Sequence, residues 1–229
     1  EFLKKIEEAN PGIVGFSCMT PTIVNGHKIA TLIKKHFPEI TTVVGGAHSS
    51  ALPKQTLREF PNFDIVVFQE GEATFLELCE RMKDGKDFIG VAGTTIRDGD
   101  SVIKEKERPF INNLDNIPFP ARELYQTSQK FRGHSSRGFT NTLNSTEIFT
   151  SRGCPYKCTF CAIVATFKRT VRFRSPDTVF EEIKEVNKKF AIDHIVIADD
   201  TFGLKKGRIE ELSEKFARSS LKSWSCDTR

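Results

Sequence analysis

Short apolar segments alternate with longer amphipathic stretches over roughly the first 110 residues. Residues 13–17, 41–44 and 65–68 are largely apolar, and they predict strands. In residues 25–37 the apolar positions recur at helical spacing, which predicts a helix with one buried face formed by Ile29, Leu32, Ile33 and Phe37. Apolar strands separated by amphipathic helices are typical of a parallel sheet covered on both faces. We therefore predict an α/β fold with a Rossmann-like, flavodoxin-like parallel sheet.

The following part of the chain predicts a hairpin, a linker and a second domain. Residues 93–103 contain two short alternating segments around Asp98-Gly99, which is a strong turn signal for a hairpin. Residues 113–145 are rich in proline and then in small polar residues, which predicts a connection between domains. The predicted division is 1–112 for the first domain with its hairpin extension, 113–145 for the linker and 146–229 for the second domain.

The alternation of strands and helices resumes in the second domain. Strands are predicted at residues 147–150 and 192–198 and from Trp224 onward, with helices beginning at Ser175-Pro176 and spanning 208–216. Such alternation is typical of a β/α barrel, and a complete barrel of eight units needs about 250 residues. The alternation therefore predicts a second α/β domain.

Composition and charge restrict the class of protein only slightly. The chain is 38% hydrophobic and 28% charged, which is typical of a globular protein, and we expect no transmembrane segment. A net charge of +4 is too small to indicate nucleic acid. The basic stripe formed by Lys168, Arg169, Arg172 and Arg174 predicts either a solvated face or a site for a phosphate or carboxylate group of a substrate. We expect a small-molecule substrate and no nucleic-acid partner.

The densest chemical signal is a loop of twelve residues, 151–162, that contains three of the six cysteines. Cys154, Cys158 and Cys161 have the spacing C-x3-C-x2-C, so their thiolates can reach one point. Three thiolates suit an iron–sulfur cube that has one iron without a protein ligand. A zinc site would need a fourth ligand, and the next Cys or His residues are His194 and Cys226. Three unrelated thiols are the remaining alternative. Cysteines grouped in this way suit a reducing cytoplasm better than a disulfide framework.

This loop, with Phe160 just before its last cysteine, resembles the radical S-adenosylmethionine superfamily. The resemblance implies a 4Fe–4S cluster held by the three cysteines, with the amino and carboxylate groups of S-adenosylmethionine on the fourth iron. It implies reductive cleavage to a 5′-deoxyadenosyl radical, with Phe160 near the adenine. Asp199 and Asp200 resemble the motif that holds the ammonium group of S-adenosylmethionine, and Arg229 is implied as a further contact. Alternatively, one aspartate caps the helix that starts near Gly207.

Glycine and polar residues follow each strand of the first domain, namely Ser17, Gly45, Gly46, Glu70 and Gly71. With Val-Gly-Gly-Ala-His at 44–48 and Gln-Glu-Gly-Glu at 69–72, this order resembles the cobalamin-binding domain that precedes many radical S-adenosylmethionine domains. The resemblance implies that these five residues contact cobalamin. Together with the resemblance of the cysteine loop, it implies that residues 146–229 are the first part of a partial TIM barrel and that the amino-terminal strand of the first domain is missing, so we expect the chain to be a fragment truncated at both ends. Alternatively, the scaffold is merely flavodoxin-like and its glycines are turn residues. No histidine is assigned to cobalt; the candidates are His27, His36, His48, His134 and His194.

Together these features predict a cytoplasmic, cobalamin-dependent radical S-adenosylmethionine enzyme, and methyl transfer to an unactivated carbon is its leading outcome. An electron donor such as flavodoxin or ferredoxin is implied by the resemblance. One alternative is a cyclase or rearrangement enzyme that acts on a tetrapyrrole or lipid. An alternative of another class is a non-catalytic corrinoid- or metal-binding module.

Overall fold

The computed structural model describes residues 1–124 and 144–228, and these residues form two compact units. The first unit comprises Glu1–Phe110 together with Cys158–Lys168. The second comprises the described parts of 111–157 and 169–229. Two predicted features, the site residue Arg229 and the candidate His134, lie outside the described residues, as does 125–143 of the predicted linker.

The first unit is built on a sheet of five strands in the order β1-β2-β3-β4-β5. The pairs β1–β2 and β2–β3 are parallel, and β3–β4 and β4–β5 are antiparallel. The predicted parallel sheet is thus confirmed, and the predicted hairpin is found as β4 and β5, which extend the same sheet. The elements are α1 Phe2–Ala9, β1 Ile13–Ser17, α2 Ile23–His36, β2 Thr41–Gly45, α3 Ala47–Ala51, α4 Pro53–Glu59, β3 Ile65–Val67, α5 Glu72–Lys83, β4 Thr94–Asp98, β5 Ser101–Lys104 and α6 Ile163–Phe167.

The buried face of α2 differs from the prediction. Ile29 and Leu32 are 42% and 39% exposed, whereas the buried positions are Ile23, Gly26, Ala30 and Ile33. A Cβ atom on Gly26 would lie 2.8 Å from the Cys18 sulfur, so the small residue lets the helix approach the sheet closely. The prediction was right for Ile33 but wrong for Ile29 and Leu32, because it ranked positions by hydrophobicity, while close packing selected the small side chains of Gly26 and Ala30.

The second unit contains a parallel sheet in the order β10-β9-β6 and a separate antiparallel pair, β7–β8. Helix α7 starts as predicted, because the Ser175 hydroxyl accepts a hydrogen bond from the Thr178 N–H and Pro176 follows it. Val179, Ile183 and Val186 on its inner face are buried. The elements are β6 Ser145–Ile148, β7 Ser151–Arg152, β8 Arg172–Phe173, α7 Pro176–Phe190, β9 His194–Phe202, α8 Lys206–Ala217 and β10 Ser223–Thr228.

Strand β9 is longer than predicted. The prediction ended it at residue 198, but it continues through Phe202 and therefore includes Asp199 and Asp200. Strand β10 supports this extension, because Thr228 pairs with Phe202 beyond an irregularity in the register. Asp199 and Asp200 lie within this irregular stretch of pairing, and their burial alternates, with Asp199 buried and Asp200 half-buried, as is typical of successive side chains in a strand.

The described part of the predicted linker, residues 113–124, belongs to the second unit. The Asp115 carboxylate accepts a hydrogen bond from the Ser175 N–H at 2.9 Å, at the start of α7. Arg122 is only 5% exposed. Within the described ranges, no helix combines the length and the apolar character that crossing a bilayer requires.

Candidate cofactor sites

The loops that follow β1, β2 and β3 lie at one edge of the sheet, because these strands are adjacent and parallel. The Cys18 N–H donates to the Gly45 carbonyl at 2.9 Å, and the His48 N–H donates to the Cys18 carbonyl at 3.3 Å. These two hydrogen bonds join the first loop to the second. The structure therefore brings the predicted residues Ser17, Gly45 and Gly46 to the same edge.

Gly46 is the glycine whose conformation requires the absence of a side chain. Its φ of 97° and ψ of −173° lie in a region that is essentially restricted to glycine. A Cβ atom there would also lie 2.6 Å from the Cys18 carbonyl oxygen. Gly45 differs, because its Cβ would make an ordinary contact, 3.5 Å from the Val67 carbonyl. Gly71 has a φ of −90°, which any residue can adopt.

The third loop is joined to the second through α3. Gln69 has a positive φ of 63°, and its N–H donates to the Ser50 hydroxyl at 2.9 Å. Glu70, which follows it, is 8% exposed, and Gly71 is the N-cap of α5. All five predicted cobalamin residues therefore lie on one continuous set of loops. The close approach at Gly46 is to the Cys18 backbone, so it holds two of these loops together at the strand ends, where ligands bind in sheets of this kind.

Sequence reasoning missed the role of His48 in this set of loops. Its side chain is 8% exposed, its Nδ1 lies 3.1 Å from the Thr20 hydroxyl, and its ring packs edge-on against Phe60. The histidine thus joins the loop after β1 to the loop after β2. Its position two residues after Gly46 was the available signal, but nothing in the sequence pairs it with Thr20.

The first cysteine of the motif belongs to the second unit and is held at the end of β9. The Cys154 sulfur lies 3.2 Å from the Thr201 hydroxyl. The N–H of Gly153, which has a positive φ of 90°, donates to the Asp200 carboxylate at 2.7 Å. The pKa of the Asp200 carboxyl is raised above its ordinary value, mainly because the group is buried. The hydrogen bond from the Gly153 N–H offsets part of this increase, and the neighbouring Asp199 charge adds to it.

Asp199 lies on the opposite side of the strand, and both of its carboxylate oxygens accept hydrogen bonds from the protein. Its carboxylate, 5% exposed, accepts hydrogen bonds from the N–H and the hydroxyl of both Thr150 and Ser151, at 2.5–2.9 Å. Asp200 is the aspartate that lies next to the cysteine loop. Neither aspartate caps α8, because its N-cap is Lys205 with no capping side chain. The capping alternative for these two residues is therefore wrong.

The other two cysteines lie in the first unit, just before α6. The Cys161 N–H donates to the Cys158 carbonyl at 3.3 Å, so they share one tight turn. Phe160 is 89% exposed. All three cysteines carry free thiols, and three thiols of this spacing are the donor set that a 4Fe–4S cluster takes from a protein. In the part of the chain that is described, no three Cys, His, Asp or Glu side chains are gathered as a metal site.

Two of the four residues of the basic stripe have a different role from either one predicted, whereas Lys168 and Arg169 are exposed, as the solvated face predicts. Arg172 is 7% exposed and donates to the Ile111 carbonyl at 2.8 Å. The Arg174 side chain, 10% exposed, forms an ion pair with Glu182 at 2.5 Å. Lys168 forms an ion pair with Glu107. The predicted solvated face and the predicted anion site are therefore both wrong for Arg172 and Arg174, because both side chains are largely buried and bind groups of the protein itself.

Comparison with known families accounts for both sets of loops. Residues 1–79 match the B12 binding domain, and residues 148–227 match the radical SAM superfamily. The first match contains the loops around Gly46, and the second contains the three cysteines and the two aspartates. The chain therefore belongs to the radical S-adenosylmethionine superfamily and carries a B12-binding domain ahead of the radical domain.

Among curated proteins, the chain is 31% identical over 230 residues to the uncharacterized methyltransferase PH0819 of Pyrococcus horikoshii, and covers 48% of that protein. It is 30% identical to the cytidylyl-2-hydroxyethylphosphonate methyltransferase of Streptomyces wedmorensis, with 96% of the chain and 46% of the relative aligned. It is 28% identical to the anaerobic magnesium-protoporphyrin IX monomethyl ester cyclase of Rubrivivax gelatinosus, with 99% and 40% aligned. The chain thus spans less than half the length of these relatives.

Solved structures share the fold. The cobalamin-dependent S-adenosylmethionine radical enzyme OxsB, with aqua-cobalamin and S-adenosylmethionine bound, superposes with a TM-score of 0.73 at 24% identity, covering 97% of this chain and 31% of that one. The radical S-adenosylmethionine methyltransferase TsrM of Kitasatospora setae, with cobalamin and a [4Fe–4S] cluster bound, gives 0.68 at 18% identity, covering 91% and 41%.

Proposed function

We propose that the chain is part of a cobalamin-dependent enzyme that reductively cleaves S-adenosylmethionine at a 4Fe–4S cluster and transfers a methyl group to an unactivated carbon of a small molecule. The observation that carries this proposal is the anchoring of the cysteine motif at the end of β9, where Asp200 holds Gly153 and Thr201 contacts Cys154. A B12-binding domain in the same chain supplies the second cofactor.

Each predicted residue keeps a place in this proposal. Cys154, Cys158 and Cys161 hold the cluster, which supplies the electron for cleavage when it is bound. Asp200 and Phe160 contact S-adenosylmethionine, together with Arg229, while Asp199 shapes the loop that precedes Cys154. The cobalamin contacts are Ser17, Gly45, Gly46, Glu70 and Gly71, and we add His48 because it joins two of these loops. The domain division remains 1–112, 113–145 and 146–229.

The partners follow from the same chemistry. The proposed reaction needs an electron donor such as flavodoxin or ferredoxin, and the free thiols suit the reducing cytoplasm. Nucleic acid is not a proposed partner, because two arginines of the basic stripe are committed to internal contacts.

The experiment that tests this proposal is anaerobic reconstitution of the wild-type chain and of Cys158→Ala with iron and sulfide. Iron and sulfide analysis and the magnetic resonance signal of the reduced cluster are measured, together with cobalamin binding by visible absorption. We expect a four-iron cluster in the wild type, no cluster in Cys158→Ala, and nearly unchanged cobalamin binding. Zinc or no metal at the cysteines of the wild type would favour the non-catalytic corrinoid- or metal-binding module.

A cyclase or rearrangement enzyme is the second candidate, favoured by the 28% identity to the magnesium-protoporphyrin cyclase. The two reactions differ in product mass, because methyl transfer adds one methylene unit to the substrate. A product without that gain contradicts the methyltransferase, and a product with it contradicts the cyclase. The measurement is mass spectrometry of turnover mixtures of the complete protein with isotopically labelled S-adenosylmethionine.

A further inference from the structure

Side chains, rather than sheet pairing alone, hold the backbone that leads into the first cysteine. This segment, residues 147–153, runs from the end of β6 to the residue before Cys154, and β6 pairs with β9 only as far as Ile148. Three of its carbonyl oxygens each accept a hydrogen bond of 2.8 Å from a different arginine. The pairs are Arg122 with Glu147, Arg174 with Phe149, and Arg208 with Thr150.

Carboxylates hold the N–H groups of the same segment. Asp199 accepts from the N–H groups of Thr150 and Ser151 at 2.6 and 2.9 Å, and Asp200 accepts from Gly153 at 2.7 Å. Thr150 is therefore bound at its N–H, hydroxyl and carbonyl, and its carbonyl accepts from both the Arg208 guanidinium and the Arg174 N–H. A segment fixed at both its donors and its acceptors has little freedom to change its φ and ψ angles.

The charges in this arrangement are buried and paired. Glu182, 1% exposed, lies between Arg122 and Arg174, with ion pairs of 2.6 and 2.5 Å. Burial lowers the pKa of Arg208, and the Asp199 charge counteracts that effect. A buried ionic network gains little net stability over well-packed apolar residues, because desolvation costs about as much as pairing returns. A role in setting geometry explains its presence better than a role in stability.

We propose that Arg122, Arg174, Arg208 and Asp199 are positioning residues that fix residues 147–153 and thereby set where the Cys154 thiol lies before any cluster is bound. The proposal rests on the proposed function only in that Cys154 is one of the cluster ligands. Groups that orient a metal ligand from behind typically change metal affinity about 10- to 100-fold when they are removed. The cluster should therefore depend on these residues although none of them is a ligand.

The test compares Arg208→Lys with the matched control Arg218→Lys in the full chain. Lysine keeps the charge but has a single nitrogen, whereas Arg208 uses Nε, Nη1 and Nη2 together to bind the Arg174 carbonyl and the hydroxyl and carbonyl of Thr150. The Arg218 side chain is 75% exposed and pairs with Glu214 across one helical turn. The first readout is the alkylation rate of each cysteine in the cluster-free chain, resolved by peptide mass spectrometry. The second is the rate at which a chelator removes iron from the reconstituted chain.

In Arg208→Lys we expect Cys154 to react several-fold faster and iron to be lost about 10-fold faster than in the wild type. Cys226, which packs against the core of the same unit, should keep its wild-type rate, and Arg218→Lys should change neither readout. Unchanged reactivity of Cys154 overturns the proposal. Equal acceleration of Cys226 also overturns it, because Arg208 would then hold the whole fold and not this segment.

Asp199→Asn keeps the proposal testable if Arg208→Lys does not fold. An amide oxygen can accept from the two N–H groups, but the amide nitrogen cannot accept from the Thr150 and Ser151 hydroxyls. The same acceleration confined to Cys154 is expected, and its absence counts against positioning. If the wild type takes up no cluster while Cys154 still responds, the proposed function fails and the positioning role stands.

Discussion

At the scale of single residues, Gly46 gives the sharpest prediction. Gly46→Ala should lower the free energy of unfolding of the first unit by about 2–3 kcal/mol, because alanine is strained at a φ of 97° and its Cβ would overlap the Cys18 carbonyl. The loops that we propose for cobalamin would separate, so cobalamin binding should weaken as well. Urea unfolding and visible absorption titrations measure the two effects.

Substitutions at two further glycines separate the two causes of this destabilisation, which are the backbone strain and the overlap with the Cys18 carbonyl. Gly85 has a φ of 65° and open space around it, so Gly85→Ala isolates the backbone strain at about 1 kcal/mol. Gly45→Ala has neither a positive φ nor a clash, so stability should change by less than about 0.5 kcal/mol. If Gly46→Ala is no more destabilising than Gly85→Ala, the close approach to Cys18 has no energetic weight.

The candidate site could be predicted from sequence only where its signal is local. Three cysteines within eight positions indicate a metal or cluster site through their spacing alone. The partners of Asp199 lie 48 and 49 residues earlier in the chain, and Arg208 reaches back 58 residues. Such contacts depend on how β6, β9 and α8 pack, so no pattern in the sequence indicates them.

At the scale of secondary structure elements, two adjacent glutamates on α7 have opposite surroundings. Glu182 is buried between two arginines, whereas the Glu181 side chain is 61% exposed and pairs with Lys184. Glu182→Gln should destabilise the second unit by about 3 kcal/mol, because it leaves two buried guanidinium groups with weaker compensation. Glu181→Gln should cost less than about 0.5 kcal/mol. Urea unfolding followed by Trp224 fluorescence measures both, and similar values for the two variants would mean that the two guanidinium groups do not depend on the Glu182 charge.

Strands β9 and β10 are joined by His194, and we expect its burial to make the stability of the second unit depend on pH. His194 lies 2.8 Å from the Ser223 hydroxyl and 3.1 Å from the Ser225 hydroxyl, and burial lowers its pKa below the ordinary 6.5. The folded state therefore favours the neutral ring. The stability that this provides is fully present above the unfolded pKa and is lost as pH falls through the folded pKa.

We therefore expect the free energy of unfolding to fall as pH drops below about 6.5, and His194→Gln to reduce that slope. Trp224, the single tryptophan, packs against Phe202 and Phe216, so its fluorescence reports this unit. His36→Gln, at an exposed helix end, serves as the control. An unchanged slope in His194→Gln would assign the acid sensitivity to other groups.

The elements themselves were predictable where periodicity and caps agree, as in α7 with Ser175, Pro176 and an apolar stripe. Two kinds of feature were not. The buried face of α2 follows Gly26 and Ala30, because close packing against the sheet rewards small residues over large apolar ones. The length of β9 follows its pairing with β10, and the polar residues 199–201 give no strand signal of their own.

At the scale of the whole molecule, the chain order and the compact units do not coincide. Residues Cys158–Lys168 lie beyond the linker in sequence, yet they belong to the same unit as the B12-binding domain. Helix α6 contacts α3, the helix that starts directly after Gly46, and Phe167 packs on Phe110 at a ring distance of 6.5 Å. Cys158 and Cys161 therefore lie just before a helix of the first unit, which also contains the B12-binding domain.

This arrangement predicts where bound cobalamin slows hydrogen exchange. Cobalamin at 100 times its dissociation constant stabilises the state that binds it by about 2.7 kcal/mol, so backbone N–H groups that exchange through opening of that unit should slow by up to about 100-fold. We expect protection in α3 and in the loops after β1–β3, and also in α6 because it contacts α3. Peptides from β9 and β10, in the second unit, should be little affected. Peptide-resolved exchange with and without cobalamin measures this, and Gly46→Ala should reduce the protection at the same cobalamin concentration. If the loops are protected and α6 is not, the contact between α3 and α6 does not carry the stabilisation from one helix to the other. If β9 and β10 are protected equally, the two units open together.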